Sequence, residues 1–249
     1  KIVKIWVDDF AGASKKMDPV IYNAIIAEAH KRNIRVAAHL YYLSDARKLV
    51  SSGVDIIAHS IRDSIVDDDF LDNMRARKVV YIPTLSLDEF SFIYSRKPEW
   101  INDQFFKASL EPGVYEMITS EKYKDEVKNS PLLTRNINGL KIAMANLERI
   151  ADAGILIAMG TDSGALPIRA QGFSEHLELE LMVQSGMSPL QTIAAATSGS
   201  AKALNIDDRF GTIEKGKTAD LLVLNADPIT DIKNTRKIEA VYKAGVKIK

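Results

Sequence analysis

Apolar and polar positions alternate along this chain with two periods, and the period switches regularly. The runs "IVKIWV" (2–7), "IRVAAHLY" (34–41), "VDIIAHS" (54–60) and "VVYIPTL" (79–85) read as short strands, hydrophobic on both faces. Between them, apolar residues recur three and four apart: "PVIYNAIIAEAHKRN" (19–33), opened by Asp18-Pro19, then "SDARKLVSSG" and "DDDFLDNMRARK". Strand, crossover helix, strand, repeated in this way, predicts an α/β fold with a parallel sheet covered by helices. From 86 to 140 the pattern loosens, and Phe90, Phe92, Tyr94, Trp100, Phe105, Phe106 and Tyr115 are scattered among charges, which predicts a lid or substrate wall. The helix "NGLKIAMANLERIADAG" returns to an apolar stretch, "LIAMGTDSGA" (156–165), followed by the helices "SEHLELELMVQSG" and "SPLQTIAAATSGSAKAL". After Leu204 the chain turns β-rich, with Gly turns and no helix between its strands. This predicts a main body over 1–204 and a small β-unit over 205–249.

With 249 residues, 46% of them hydrophobic, the chain can build one large core or a large domain with a small companion. Lys and Arg balance Asp and Glu at 33 each and no basic run occurs, so neither nucleic acid nor an acidic membrane is an expected partner. A small or neutral substrate fits better. There is no cysteine, so any metal must be held by His, carboxylate or a modified side chain. No apolar stretch is long enough to span a bilayer, and no signal-peptide pattern opens the chain. Residue 1 is a Lys inside a strand pattern with no initiator Met, so an upstream portion is expected. The compartment is thereby unread, with a soluble, cytoplasmic setting as the expectation.

The polar residue near the C-terminal end of each strand is Lys4, then His39, His59 and finally Asp162. In parallel α/β folds those ends converge, so residues distant in sequence can surround one point. His39 and His59 lie one strand-helix unit apart, on neighbouring strands, where two neutral imidazoles suit a divalent ion such as zinc and a carboxylate completes the shell. A Lys in an apolar strand either finds a carboxylate or loses its proton, and a neutral amine can capture carbon dioxide as a bidentate carbamate. Each residue also has a plain structural alternative: a turn or N-cap for Asp162, a solvated strand end for Lys4, hydrogen-bonded core positions for the two histidines. His30 reads as a surface residue at a helix C-terminus.

The stretches "IVKIWVDD" (2–9), "RVAAHLYYLSDARKLVSSGVDIIAHS", "GTDSG", "ELELMVQSGMSPLQTIAAATSGSAKAL" and "GTIEKGKTADLLVLNADPITDI" together resemble the amidohydrolase superfamily. The branch they resemble is that of imidazolonepropionase-like enzymes and metal-dependent proline or arginine dipeptidases. The resemblance implies a distorted TIM-like (β/α)8 barrel, of which strands 4 to 8 are present here, plus part of a composite β-sandwich. It implies two divalent ions, with Lys4 as the carboxylated bridging lysine, His39 and His59 as ligands of one metal, and Asp162 as ligand of the other and proton shuttle. The implied reaction is hydrolysis of an amide, in a dipeptide or a cyclic amide. Tyr42 and Arg62, each three residues beyond a histidine, are substrate-binding candidates whose alternatives are packing and an ion pair with Asp63 or a neighbouring acid. His176, near a helix start, is a third candidate on the substrate side. The family's His-x-His pair is absent from this chain, so an N-terminal segment is expected to complete the site, and the resemblance also points to a homo-oligomer. A deaminase or cyclic-amidine hydrolase on the same scaffold, or a non-catalytic relative, are the alternative readings.

Overall fold

Four parallel strands form the sheet in sequence order: β1 (Ile2–Trp6), β2 (Arg35–His39), β3 (Ile56–Ala58) and β4 (Val80–Ile82). The computed structural model describes residues 1–249. Segment 156–158 continues the sheet beyond β4 through a parallel bridge between Tyr81 and Ile157. The crossovers α1 (Pro19–Lys31), α2 (Leu43–Ser51) and α3 (Asp68–Ala76) lie where the periodicity predicts helices. Asp18 caps α1, its Oδ1 accepting from Val20 N at 2.8 Å with Pro19 in the first turn, and Asp67 caps α3 in the same manner.

The sheet has two different faces. Ile5, Val7, Val36, Ala38, Leu40, Ile57 and Tyr81 point to the helices and belong to a core of 43 buried residues. Ala37, Ile56, Val80 and Ala158 point the other way into a small second cluster, closed by Ala203. Lys4 and Trp6, two and no residues out of step with His39 respectively, share this inner side with it.

The run 79–85 does not remain extended to its end. Pro83 has no N–H to offer the ladder, Thr84 adopts φ +53°, and the next residues begin α4 (Leu85–Phe90). The insertion after it is helical: α5 (Gln104–Ala108), α6 (Val114–Thr119) and α7 (Glu121–Lys128), with 3₁₀ turns at 93–95 and 99–102. Its aromatic residues do not form an open cover. Trp100, Phe106 and Phe173 meet with ring centroids 4.7 to 5.0 Å apart, and Phe90, Tyr94 and Phe106 are buried in the main core. Their large apolar area is what attaches the insertion to the body.

Helix α8 (Leu133–Asp152) leads back to segment 156–158, and α9 (Phe173–Gln184) follows. A capping box on Ser188 opens α10 (Pro189–Ala194), which continues through a π-helical turn, 195–199, into α11 (Ser200–Leu204). Gly199 is needed in that turn, because a Cβ there would lie 2.5 Å from the carbonyl oxygen of Ile157. The C-terminal β-region forms an antiparallel sheet of β5 (Leu221–Leu224), β6 (Ile238–Lys243) and β7 (Val246–Lys247). Arg236, just before β6, ion-pairs with Glu180 of α9 and, at 2.7 Å, with Asp103 of the insertion, joining three parts of the chain.

Asn146 of α8 is fully buried and braces the loop after β3. Its Oδ1 accepts from Val66 N at 2.9 Å, and its Nδ2 donates to the carbonyls of Ile61 and Ser64, each at 3.0 Å. Replacing it by Ala leaves buried backbone groups without partners. Asn146→Ala is expected to lower the unfolding free energy by about 2 to 4 kcal/mol, read as a lower urea midpoint at unchanged slope.

Candidate active site at the strand ends

β2 ends on His39, and the register sets Trp6 directly beside it, so indole and imidazole stack with centroids 3.6 Å apart. Lys4 pairs with Ala37, two residues lower. Its long stem spans the offset and brings Nζ to 3.4 Å from Nε2 of His59. The strand-end residues are therefore staggered in register rather than level, and side-chain length closes the gap.

His59 reaches the inner side by a backbone turn. Ile56 and Ala58 face inward and Ile57 faces the helices, so further extended backbone would send residue 59 to the helices as well. Instead His59 has φ +75°, a left-handed conformation that a non-glycine residue holds only under constraint. Its ring comes to rest 4.4 Å from that of His39, edge on, with Nδ1 2.9 Å from Oγ1 of Thr84. Thr84 and Asp162 share the left-handed backbone, at φ +53° and +55°.

Burial, then the neighbouring His39 and Lys4, push His59 down to about 2, so it is neutral near pH 7. Burial also lowers His39, opposed by Asp8, whose Oδ2 lies 3.6 Å from its Nε2. Both ring nitrogens of His39 are buried, and neither makes a hydrogen bond. Lys4 is lowered by burial of its ammonium end, with the Asp162 charge opposing. Two neutral imidazoles, one with orphaned nitrogens, beside an amine displaced toward its neutral form, fit a divalent cation and a modified lysine. Asp162 stands apart: its Oδ2 accepts from Arg169 Nη1 at 2.7 Å. No three His, Asp or Glu side chains converge as a cation cage by themselves.

The structure thus brings Lys4, His39 and His59 together and places Asp162 within electrostatic reach of Lys4. Tyr42 lies on the rim, its hydroxyl donating to Asp9 Oδ1 at 3.0 Å, 3.4 Å from Arg135 Nη2. Arg62 is a buried structural ion pair, bonded to Asp88 at 2.7 Å and to the Leu40 carbonyl at 3.0 Å. Asp63 bonds instead to the Leu43 amide. His176 contacts Thr235 at 2.9 Å and the ring of Phe105, and none of the other strand-end residues. Burial, then Arg236, lowers it to about 4.

Four residues of this region escape the strand-end reading: Asp8, Thr84, Arg169 and Glu178. Asp8 had a signal, the paired acids that close the first strand pattern. Glu178 had a subtler one, since "LELEL" in a helix cannot keep every acid on the solvent side. Glu178 is fully buried, and its two oxygens accept from the amides of Leu85 and Ser86 at 2.8 and 2.7 Å. Burial outweighs those donors and pushes its carboxyl up to about 7.

The amidohydrolase family model matches residues 16–248. Ochratoxinase of Aspergillus niger is 23% identical over 235 residues, which are 92% of this chain and 41% of that protein. Imidazolonepropionase of Geobacillus sp. (strain WCH70) is 36% identical over 86 residues, 32% of this chain and 19% of that protein. Among solved structures, an Xaa-Pro dipeptidase with bound methionine in its active site superposes with a TM-score of 0.74 at 25% identity, covering 99% of this chain and 54% of that one. A putative prolidase from Bifidobacterium longum gives 0.74 at 27% identity, with 99% and 55% covered. The chain spans about half the length of these solved relatives.

Glu178 generates a pH signature. Its folded pKa, about 7, lies above the ordinary 4.5, so its contribution to stability is fully present below about pH 4.5 and is lost as pH rises through about 7. Buried histidines slope the opposite way, so the test is a difference curve. The stability of the native chain minus that of Glu178→Gln is expected to fall by about 3 kcal/mol between pH 4 and pH 8. Chemical denaturation at a series of pH values reads it; a flat difference would show that Glu178 keeps an ordinary pKa.

Proposed function

This chain belongs to the amidohydrolase family, and on that premise we propose that it carries the strand-end half of a metal-dependent hydrolase site that cleaves a C–N amide bond in a small, dipeptide-like substrate. The observation that carries the reading is the triplet of Lys4, His39 and His59: an amine 3.4 Å from the neutral imidazole of His59, and the imidazole of His39 edge-on beside it with both its buried ring nitrogens lacking a protein partner. In this proposal the parallel sheet is an arc of a (β/α)8 barrel and the C-terminal sheet is part of a β-sandwich.

His39 and His59 would hold one divalent ion, zinc by the chemistry of neutral imidazole, and Lys4, carboxylated, would bridge to a second shared with Asp162. Bound there, divalent ions would act as Lewis acids on the scissile carbonyl and make hydroxide available near neutral pH. Burial keeps His59 unprotonated, so its ring remains a donor across the physiological range. Trp6 covers one face of His39 and keeps water from it. Asp162 accepts a proton from the attacking water and returns it to the leaving nitrogen, and Arg169 sets where its carboxylate stands. Tyr42, poised by Asp9 and Arg135 on the rim, orients the substrate. The similarity to a dipeptidase structure at 25% identity supports a dipeptide, and that to imidazolonepropionase keeps cyclic amides in the substrate panel.

Because the chain spans about half the length of these relatives, the activity is proposed for a protein that holds this chain together with the remainder of the site. Elemental analysis of that protein, expressed with bicarbonate, is expected to give about two divalent ions per chain. Lys4→Ala is expected to lose most of the metal, whereas Asp162→Asn is expected to retain the ion held by His39 and His59 and to lose roughly 100-fold or more in hydrolysis of a dipeptide panel. A protein with no stoichiometric metal, or one that cleaves neither dipeptides nor cyclic amides when loaded, would overturn the reading.

A further inference from the structure

Thr84 is in an unfavourable place for its residue type. A β-branched side chain at φ +53° is strained, yet Thr84 is buried and holds His59 Nδ1 at 2.9 Å. Two features account for its persistence. On one side Glu178, from α9, grips the next two amides, Leu85 N and Ser86 N, one with each carboxylate oxygen. That fixes the peptide planes immediately after Thr84, where α4 starts. On the other side Gly160 leaves room: a Cβ at 160 would lie 2.7 Å from Ile82 Cγ2 and 3.7 Å from Thr84 Cγ2. Neither Glu178 nor Thr84 hydrogen-bonds to Lys4 or His39. Their hydrogen-bonded link to the strand-end site is His59.

A hydroxyl can accept from an imidazole N–H or donate to a bare nitrogen, so Thr84 alone leaves two arrangements open. The other end of the ring decides between them. Nε2 of His59 lies 3.4 Å from the Lys4 nitrogen, which carries N–H donors whether or not it is protonated, and this favours a lone pair at Nε2 and hence a proton at Nδ1. We infer that Glu178 and Thr84 are a positioning pair that holds His59 in its Nδ1–H tautomer and so presents the Nε2 lone pair to the centre of the strand-end site. The inference rests on the reading of His59 as a donor in that site. It extends that reading to a carboxylate that meets the site only through two backbone amides and one hydroxyl.

The test reads the tautomer itself. The chain has four histidines, so ¹⁵N-histidine labelling of the metal-free protein at pH 8 gives separable ring signals in long-range ¹H–¹⁵N correlation spectra. In the native chain His59 is expected as Nδ1–H. Thr84→Val is expected to lower the ratio of Nδ1–H to Nε2–H by roughly fivefold or more, Thr84→Ser to restore it, and Glu178→Gln to lower it in the same direction. Should Thr84→Val fail to fold, the native spectrum, Thr84→Ser and Glu178→Gln decide. An Nε2–H tautomer in the native chain would overturn the inference, as would a ratio unchanged by Thr84→Val. A shift with Thr84→Val but none with Glu178→Gln would overturn the part assigned to Glu178. The outcome does not depend on catalysis: an unmoved tautomer overturns the positioning pair even in a protein that cleaves amides, and a moved one supports it even if hydrolysis is never found.

Discussion

A strand delivers alternate side chains to opposite faces, and this chain needs consecutive strand ends to deliver to the same one. β1 and β2 satisfy the rule, since Lys4, Trp6, Ala37 and His39 share a parity. β3 does not, because His59 follows Ala58 and is due on the helical side. The left-handed turn at His59 resolves the conflict, and the same backbone state recurs at Thr84 and Asp162. Non-glycine residues enter it at a cost of order 1 to 3 kcal/mol each, so the surrounding structure must over-determine it. Much of the fold can be understood as what holds these turns.

The holding is done by buried polar groups rather than by more apolar packing. Glu178 secures the chain after Thr84, Arg62 and Asp88 form a buried pair beneath the strand ends, and Asn146 braces the loop that follows His59. Each of these groups is expensive to bury alone, and each is matched to backbone or to an opposite charge. The aromatic insertion contributes differently. Its rings join the main core and fix α9, the helix from which Glu178 reaches the sheet. Apolar area thus supplies the attachment, and hydrogen bonds set the angles at the site.

The relatives give this arrangement its chemical context. Family membership and the superposition on an Xaa-Pro dipeptidase cover almost the whole chain, while the chain covers only about half of that structure. The two histidines at the strand ends are both held neutral by burial. That is the electrostatic condition for accepting a cation without first expelling a proton.

The sequence was enough for the α/β class, the order of the strands, the caps at Asp18 and Ser188, and the change of style after Leu204, because periodicity, Pro positions and turn residues are local properties. It also marked Lys4, His39, His59 and Asp162, since a polar residue that ends an apolar run is visible without coordinates. It could not show the left-handed turn at Thr84 and the helix that follows, because Glu178, which holds the next two amides, is nearly a hundred residues away. Nor could it distinguish Arg62 as the partner of Asp88 from Arg62 as a substrate ligand, or seat the aromatic residues of 86–140 in the core rather than over the site. Local pattern determines which face a residue should take; only the tertiary structure decides where backbone strain is permitted to reverse it, because the contacts that sustain the strain come from elsewhere in the chain.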